Sequence, residues 1–303
     1  MKWQVILLVL AASVGVTQQN LLAEQPAAPE GASVYGFRYQ TSYKDTNCAG
    51  FISRERFALG RAIQGGRLSP EVDHFTAKDS VFLAGSGYQV GDHYAVIREL
   101  RDPNRYEYVA GQNRRLERLG HLYAELGQLR IDRIENGFAI ATIEVSCQPM
   151  VPGDVVIPFH DKGSFSAQPR STPFQVFGVP LPRPYGRIVM GSELDYFFGL
   201  HKIVYIDLGS RIGLKPGDYL RISRSYDPDK MPEVSRVNLD SPDYDDTQSH
   251  PLRVSPKSMK NWPVRGLGEM MVISATPDSA TCLVTMALED LQVGDLVSPE
   301  SER

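Results

Sequence analysis

The chain has 303 residues, enough for about two domains of ordinary size. Hydrophobic residues make up 42% and charged residues 22%, an ordinary globular composition that leaves each half enough apolar side chain for a core. A formal net charge of −4 argues against nucleic acid or an anionic membrane as partner.

Residues 1–23 read as a secretory signal peptide. Lys2 precedes an apolar run from Trp3 to Val16, and "LLAEQ" follows, with cleavage expected after Ala23. The run spans 14 residues, short of the ~20 that cross a bilayer. No later stretch is apolar enough to span, so the mature chain is not expected to be integral to a membrane. Cys48 lies too far from the cleavage point for a lipoprotein. A short segment, 24–47, then leads to the first of two related modules, 48–159 and 185–300.

The two modules share one pattern. "DSVFLAGSGYQVGDHYAVIREL", 79–100, matches "KIVYIDLGSRIGLKPGDYLRISRS", 202–225: Val81 and Leu83 fall on Val204 and Ile206, Gly91-Asp92 on Gly217-Asp218. A gapless match follows between 126–158 and 267–299, placing Gly127 on Gly268, Gly153 on Gly294 and Asp154 on Asp295. Within it Ala139, Ala141, Ile143 and Val145 match Ala280, Cys282, Val284 and Met286. This period of two means strands with one buried face. Self-similarity on this scale implies duplication of a supersecondary unit. The openings of the two copies are placed at "CAGFISRERF", 48–57, and "YGRIVMGSE", 185–193.

Four Gly-Asp dipeptides punctuate the copies: Gly91-Asp92, Gly153-Asp154, Gly217-Asp218 and Gly294-Asp295. Each follows Val or Pro, the chemistry of a type II turn, in which glycine accepts the positive φ of the third position. Turn geometry accounts for all four Asp, so they are not expected to form a metal or catalytic set. The strand after each first Gly-Asp ends at Arg98 or Arg224, in phase with the buried face. Two readings stand: an arginine that covers the core and snorkels outward, or a paired ligand-binding arginine.

Some segments have no partner in the other copy. "RRLERLGHLYAELG", 114–127, is helix-like in composition, whereas the repeat favours strand for its last part, and both readings remain open. Residues 160–184 are rich in Pro and Ser and read as an extended linker. The insertion 225–266 is polar and Pro-dotted, as expected of a mobile surface loop. Its Tyr244 and Trp262 are candidate contacts for a sugar or a protein.

Three cysteines in an exported chain leave one over. In the repeat Cys48 falls on Pro184 and Cys147 on Leu288, so copy two lacks both together, as expected of a bonded pair. A Cys48–Cys147 bond would close a loop of about 100 residues and stabilise by up to ~4.7 kcal/mol in the chain-entropy model. Cys282 is in the apolar phase of a strand and is expected to be a buried thiol. The six histidines form no metal-type pair, no nucleophile motif is present, and "GSGYQVG", 85–91, departs from a dinucleotide fingerprint. No cofactor, metal or catalytic residue is expected.

The Gly-Asp turns, the strand ending in Arg and the L-G-E motif of 204–295 resemble the C-terminal β-domain of the flagellar assembly protein T family. "CAGFIS", 48–53, is similar to the corresponding region of bacterial LysM-containing envelope proteins. The resemblance covers roughly 48–300 and implies small β-barrels with scaffold or assembly roles and no catalytic residues. Residues 24–47 carry no LysM pattern, so peptidoglycan binding through LysM does not transfer. The expectation is an all-β protein of two barrel-like modules, exported to the periplasm or envelope. It is read as a non-enzymatic interaction module for an envelope protein, with glycan or peptidoglycan binding as the alternative.

Overall fold

The computed structural model describes residues 40–57, 60–104, 106–166, 174–177, 183–240 and 254–299. The signal peptide and Tyr244 lie outside these residues. A short helix, α1 (Tyr43–Asn47), precedes the strands β1 (Phe51–Ser53), β2 (Ala62–Gly66), β3 (Ser80–Ala84) and β4 (His93–Leu100). Next come helix α2 (Gln112–Leu119) and strands β5 (His121–Glu135), β6 (Phe138–Ser146) and β7 (Val155–Pro158). The second half holds β8 (Gly186–Gly191), β9 (Phe197–Phe198), β10 (Ile203–Ile206) and β11 (Tyr219–Arg224). Helices α3 (Glu233–Asp240) and α4 (Pro256–Met259) lead to β12 (Arg265–Ala275), β13 (Ala280–Ala287), β14 (Leu291–Gln292) and β15 (Leu296–Pro299).

The strands close into two antiparallel six-stranded barrels of one topology. The first runs β2-β3-β6-β5-β4-β7 and the second β8-β10-β13-β12-β11-β15, each ring closing on its first strand. Register repeats with the topology. Ile63 faces Leu83 and Gly66 faces Val81 in the first barrel; Ile188 faces Ile206 and Gly191 faces Val204 in the second. Val96 lies between Gly127 and Val156, as Ile222 lies between Gly268 and Val297. The alternating side chains fill each barrel: Ala139, Ala141 and Ile143 are buried, as are Ala280, Cys282 and Val284. Val145 and Met286 are only half-buried. There a Cβ on Gly127 would meet the Val145 carbonyl oxygen at 2.0 Å, and one on Gly268 the Met286 oxygen at 2.1 Å. The backbones approach too closely at this pair for any larger residue.

The openings of the copies need correction. Strand β8 corresponds to β2, not to 48–57. Residues 51–53 form β1, which lies outside the barrel ring and pairs with β5 through Phe51–Tyr123 and Ser53–His121. The Cys48–Cys147 disulfide is present and holds this extra strand to the end of β6, and Cys282 is buried and free. The open question over 114–127 resolves into both answers: α2 ends at Leu119, and β5 starts at His121.

All four Gly-Asp dipeptides make the expected turns. Their glycines have φ between +91° and +99°, and each Asp N–H donates to the carbonyl three residues back. The second Asp of each copy does more. Asp154 receives Arg98 Nε and Nη2 at 2.7 Å each, while the same Nη2 donates to Pro149 O at 3.1 Å. Asp295 receives Arg224 Nε and Nη2 at 2.7 and 2.8 Å, and that Nη2 donates to Asp290 O at 2.9 Å. Val151 N and Gln292 N donate to these carboxylates, both at 2.7 Å. The snorkelling reading of Arg98 and Arg224 is therefore replaced by a duplicated bidentate ion pair within each barrel. Asp218 only caps its turn through Lys215 N at 2.8 Å, and Asp92 is exposed.

The described parts of 160–184 are held against the barrels. Lys162 Nζ bridges to buried Glu125 at 2.6 Å, Phe165 packs on the cluster of Ile273 and Leu283, and Gly266 N donates to Val176 O at 2.7 Å. The described part of 225–266 includes α3 and α4, with Met231 and Met259 buried, so it is not wholly loop. No described helix is long and apolar enough to cross a membrane.

Two predictions follow from this packing. Asp295→Ala strands the buried Arg224 guanidinium and should cost ~3–5 kcal/mol in urea unfolding, because a buried charge loses its counter-charge. Asp154→Ala should cost less, since the Arg98 side chain is 34% exposed, and Asp92→Ala should stay within ~0.5 kcal/mol. Counting thiols with a chromogenic disulfide reagent should give none in the native oxidised protein, one after unfolding and three after unfolding with reduction. Burial pushes the Cys282 thiol up and keeps it unreactive in the fold.

Candidate functional site

The barrels meet through segments that belong to one copy only. Strand β1 is the seam. The carbonyls of Ala49 and Gly50 just before it and of Ile52 within it accept hydrogen bonds from Tyr205 Oη (2.9 Å), Thr281 Oγ1 (3.0 Å) and Ser279 Oγ (3.2 Å) of the second barrel. Ile52, Leu119 and Leu122 bury against Val189, Met190 and Tyr205. Helix α2 adds Gln112 Nε2 donating to Val189 O at 3.0 Å and an Arg115–Asp207 pair at 2.9 Å. Val109, from the connection before α2, enters the core of the second barrel, and Tyr108 stacks on Tyr196 with ring centroids 3.8 Å apart.

Where these segments diverge they leave a cleft of about 720 Å³. Ile52, Leu100, Leu116, Leu122, Met190 and Leu194 supply its apolar lining, and Glu99, Arg101, Asp102, Asn104, Asn113, Glu117 and His121 supply the polar part. Glu99, Arg101, Asp102 and Asn104 come from the end of β4 and the residues after it, Asn113 and Glu117 from α2, and His121 from the start of β5. Glu99 Oε1 lies 2.9 Å from His121 Nδ1, and Glu99 Oε2 lies 3.2 Å from Arg101 Nη2. The Arg101 guanidinium, with His121 assisting, holds the Glu99 carboxyl below its ordinary range. Asp102 accepts a hydrogen bond from Tyr196 Oη, and burial together with that carboxylate raises the Tyr196 phenol. Across the cleft, Glu193 and Leu194 hold consecutive left-handed conformations, φ 62° and 65°. Such conformations cost non-glycine residues of order 1–3 kcal/mol each, so the surrounding structure maintains this wall.

Chemically, the lining offers one acid–base pair, Glu99 and His121, and no Ser, Thr or Cys to act as nucleophile. Among the described residues, no group of three or more His, Cys, Asp or Glu is placed to hold a metal ion. An apolar floor with a polar border of mixed charge is suited to receiving an apolar side chain beside a polar one.

None of Arg98, Arg224 and Trp262 lines this cleft. The two arginines are spent in their ion pairs. Trp262, 41% exposed, packs edge-on to Tyr226 at 5.2 Å, and Tyr226 in turn carries the Arg265 guanidinium 5.5 Å from its centroid. Ile52, Met190 and Leu194 join the cleft only in the fold, and the lining residues from Glu99 to Leu122 escaped sequence reasoning because they occupy the unmatched stretch after Arg98. The absence of a counterpart in copy two was itself the available signal.

No protein-family model matches the chain, and no curated protein matches it.

The pairing of Glu99 gives a pH test. A carboxylate whose folded pKa is lowered contributes stability above its unfolded value of about 4.3 and loses it as pH falls through the folded value. The stability gap between the wild type and Glu99→Gln should reach at most ~1 kcal/mol at pH 7 for a pair this near the surface. It should close in urea titrations as pH falls below the unfolded value and through the lowered folded one.

Proposed function

We propose that the chain is a non-enzymatic, exported interaction module of a bacterial cell-envelope assembly, and that a partner protein docks in the inter-barrel cleft. One observation carries this reading. The arginine–aspartate pairs repeated in both copies are consumed inside the barrels, whereas the copy-specific segments converge on a cleft with an apolar floor and a polar border. That division suits a scaffold whose recognition surface lies in its insertions. The disulfide supports residence in an oxidising compartment, as does the apolar leader read in residues 1–23. The resemblance of 48–300 to flagellar assembly protein T and LysM-containing envelope proteins supports an assembly role in the periplasm.

A photo-reactive residue placed at Leu116, on the cleft floor, should cross-link in the native envelope to a species of defined mass. The same residue at Ile134, exposed on β5 and not part of the cleft, should not. Monomer alone at both positions would remove the basis for docking. Co-sedimentation of the mature protein with purified peptidoglycan at moderate salt would shift the reading to glycan binding.

A further inference from the structure

A second depression, of about 710 Å³, lies at one end of the first barrel, away from the cleft residues. Counting along the matched strands places its Arg61 on Gly186, and counting back from the Gly-Asp turns places Tyr88 on Leu214 and Tyr94 on Leu220. The second barrel thus closes this end with leucines, while the first stacks an arginine on two tyrosines. Arg61 Cζ lies 5.4 Å from the Tyr88 centroid and 6.0 Å from that of Tyr94, and the two rings meet edge to face at 5.2 Å.

The donors of this cluster are only partly used. Arg61 Nε donates to Ser86 O at 3.0 Å, and Tyr88 Oη donates to Ala84 O at 2.7 Å. No carboxylate pairs with Arg61 among the described residues. Tyr94 is 4% exposed and lines the depression; its hydroxyl has no hydrogen-bond partner among those residues and is not one of the buried unpartnered atoms, so it opens to solvent there. The leucine in the other barrel shows that an apolar residue serves the packing role at this position. An uncommitted guanidinium edge and a solvent-open hydroxyl lining one depression are a donor set for an oxyanion.

The nearby charges narrow the ligand. His93 on the border is already at 3.1 Å from Glu144, and Asp92 adds an exposed negative charge. One uncommitted cation next to one carboxylate favours a monoanion over a dianionic phosphate. We propose that this depression binds a small carboxylate-bearing ligand, with Arg61 and the Tyr94 hydroxyl donating to its carboxylate oxygens.

The test is an amide-resolved NMR titration of the mature protein with three probes: N-acetylmuramic acid, N-acetyl-D-alanine and N-acetylglucosamine, which lacks the carboxylate. One or both acids should shift the Gly87, Gly91 and Asp92 amides saturably, and the neutral sugar should not. A response to muramic acid alone marks a sugar acid, and a response to acetyl-alanine alone marks a peptide terminus. Tyr94→Phe should weaken binding about tenfold or more, the loss of a hydrogen bond to a charged group, without lowering thermal stability. Arg61→Gln should abolish the shifts, with unchanged second-barrel amides as the check on folding. If Arg61→Gln does not fold, Tyr94→Phe decides alone. No saturable shift with either acid, equal shifts with N-acetylglucosamine, or wild-type binding by Tyr94→Phe would overturn the proposal.

Discussion

Each barrel depends on one arginine held by one aspartate. Arg98 and Arg224 lie toward the ends of β4 and β11, and Asp154 and Asp295 stand immediately before β7 and β15. Those last strands close the rings, so the bidentate pair fixes the closing strand to its neighbour at the point of entry. Without closure, each sheet would expose two unpaired edges. Both partners also bind backbone: the carboxylate holds the N–H of its own turn, and the guanidinium holds the carbonyl five residues before the aspartate. The pair therefore sets a turn and a seam together. Burial opposes the charge on Arg224, and the Asp295 carboxylate more than offsets it, raising its pKa.

Duplicated barrels do not by themselves make one body. The joining elements are β1, α2 and the ends of the 160–184 segment, and none is duplicated. β1 gives its backbone bonds to β5 while its flanking carbonyls receive side chains of the second barrel. Three tethers hold it in place: the Cys48–Cys147 disulfide, the Gly50 N–H bond to Glu125 at 3.0 Å, and the Lys162 ammonium on that same carboxylate. Glu125 thus links barrel, seam and linker through one buried side chain. The arrangement gives the interior to repetition and the outer surfaces to divergence. The cleft and the arginine–tyrosine depression both arise where copy one departs from copy two.

Alternation of apolar residues, the Gly-Asp turns and the repeat were enough to read two β-modules, the disulfide and the buried thiol. These features are local, or they are preserved by an offset that duplication makes visible. Strand alternation needs only the two-residue pleat, and a positive-φ turn needs only its glycine. The alignment misled at 48–57, because β1 is a strand by composition and nothing local says whether a strand joins the ring or lies across it.

What the chain order alone determined was which residues face inward and where the backbone reverses. Tertiary structure decided which inward polar groups meet. Arg98 and Asp154 stand 56 residues apart, and Arg224 and Asp295 71 apart, and only ring closure brings each pair within hydrogen-bond range. The same holds for the cleft, whose floor draws Ile52, Leu116 and Leu194 from three separate segments. Side-chain alternation follows from covalent geometry, whereas these meetings depend on strand order, and in this chain strand order is fixed by long-range packing.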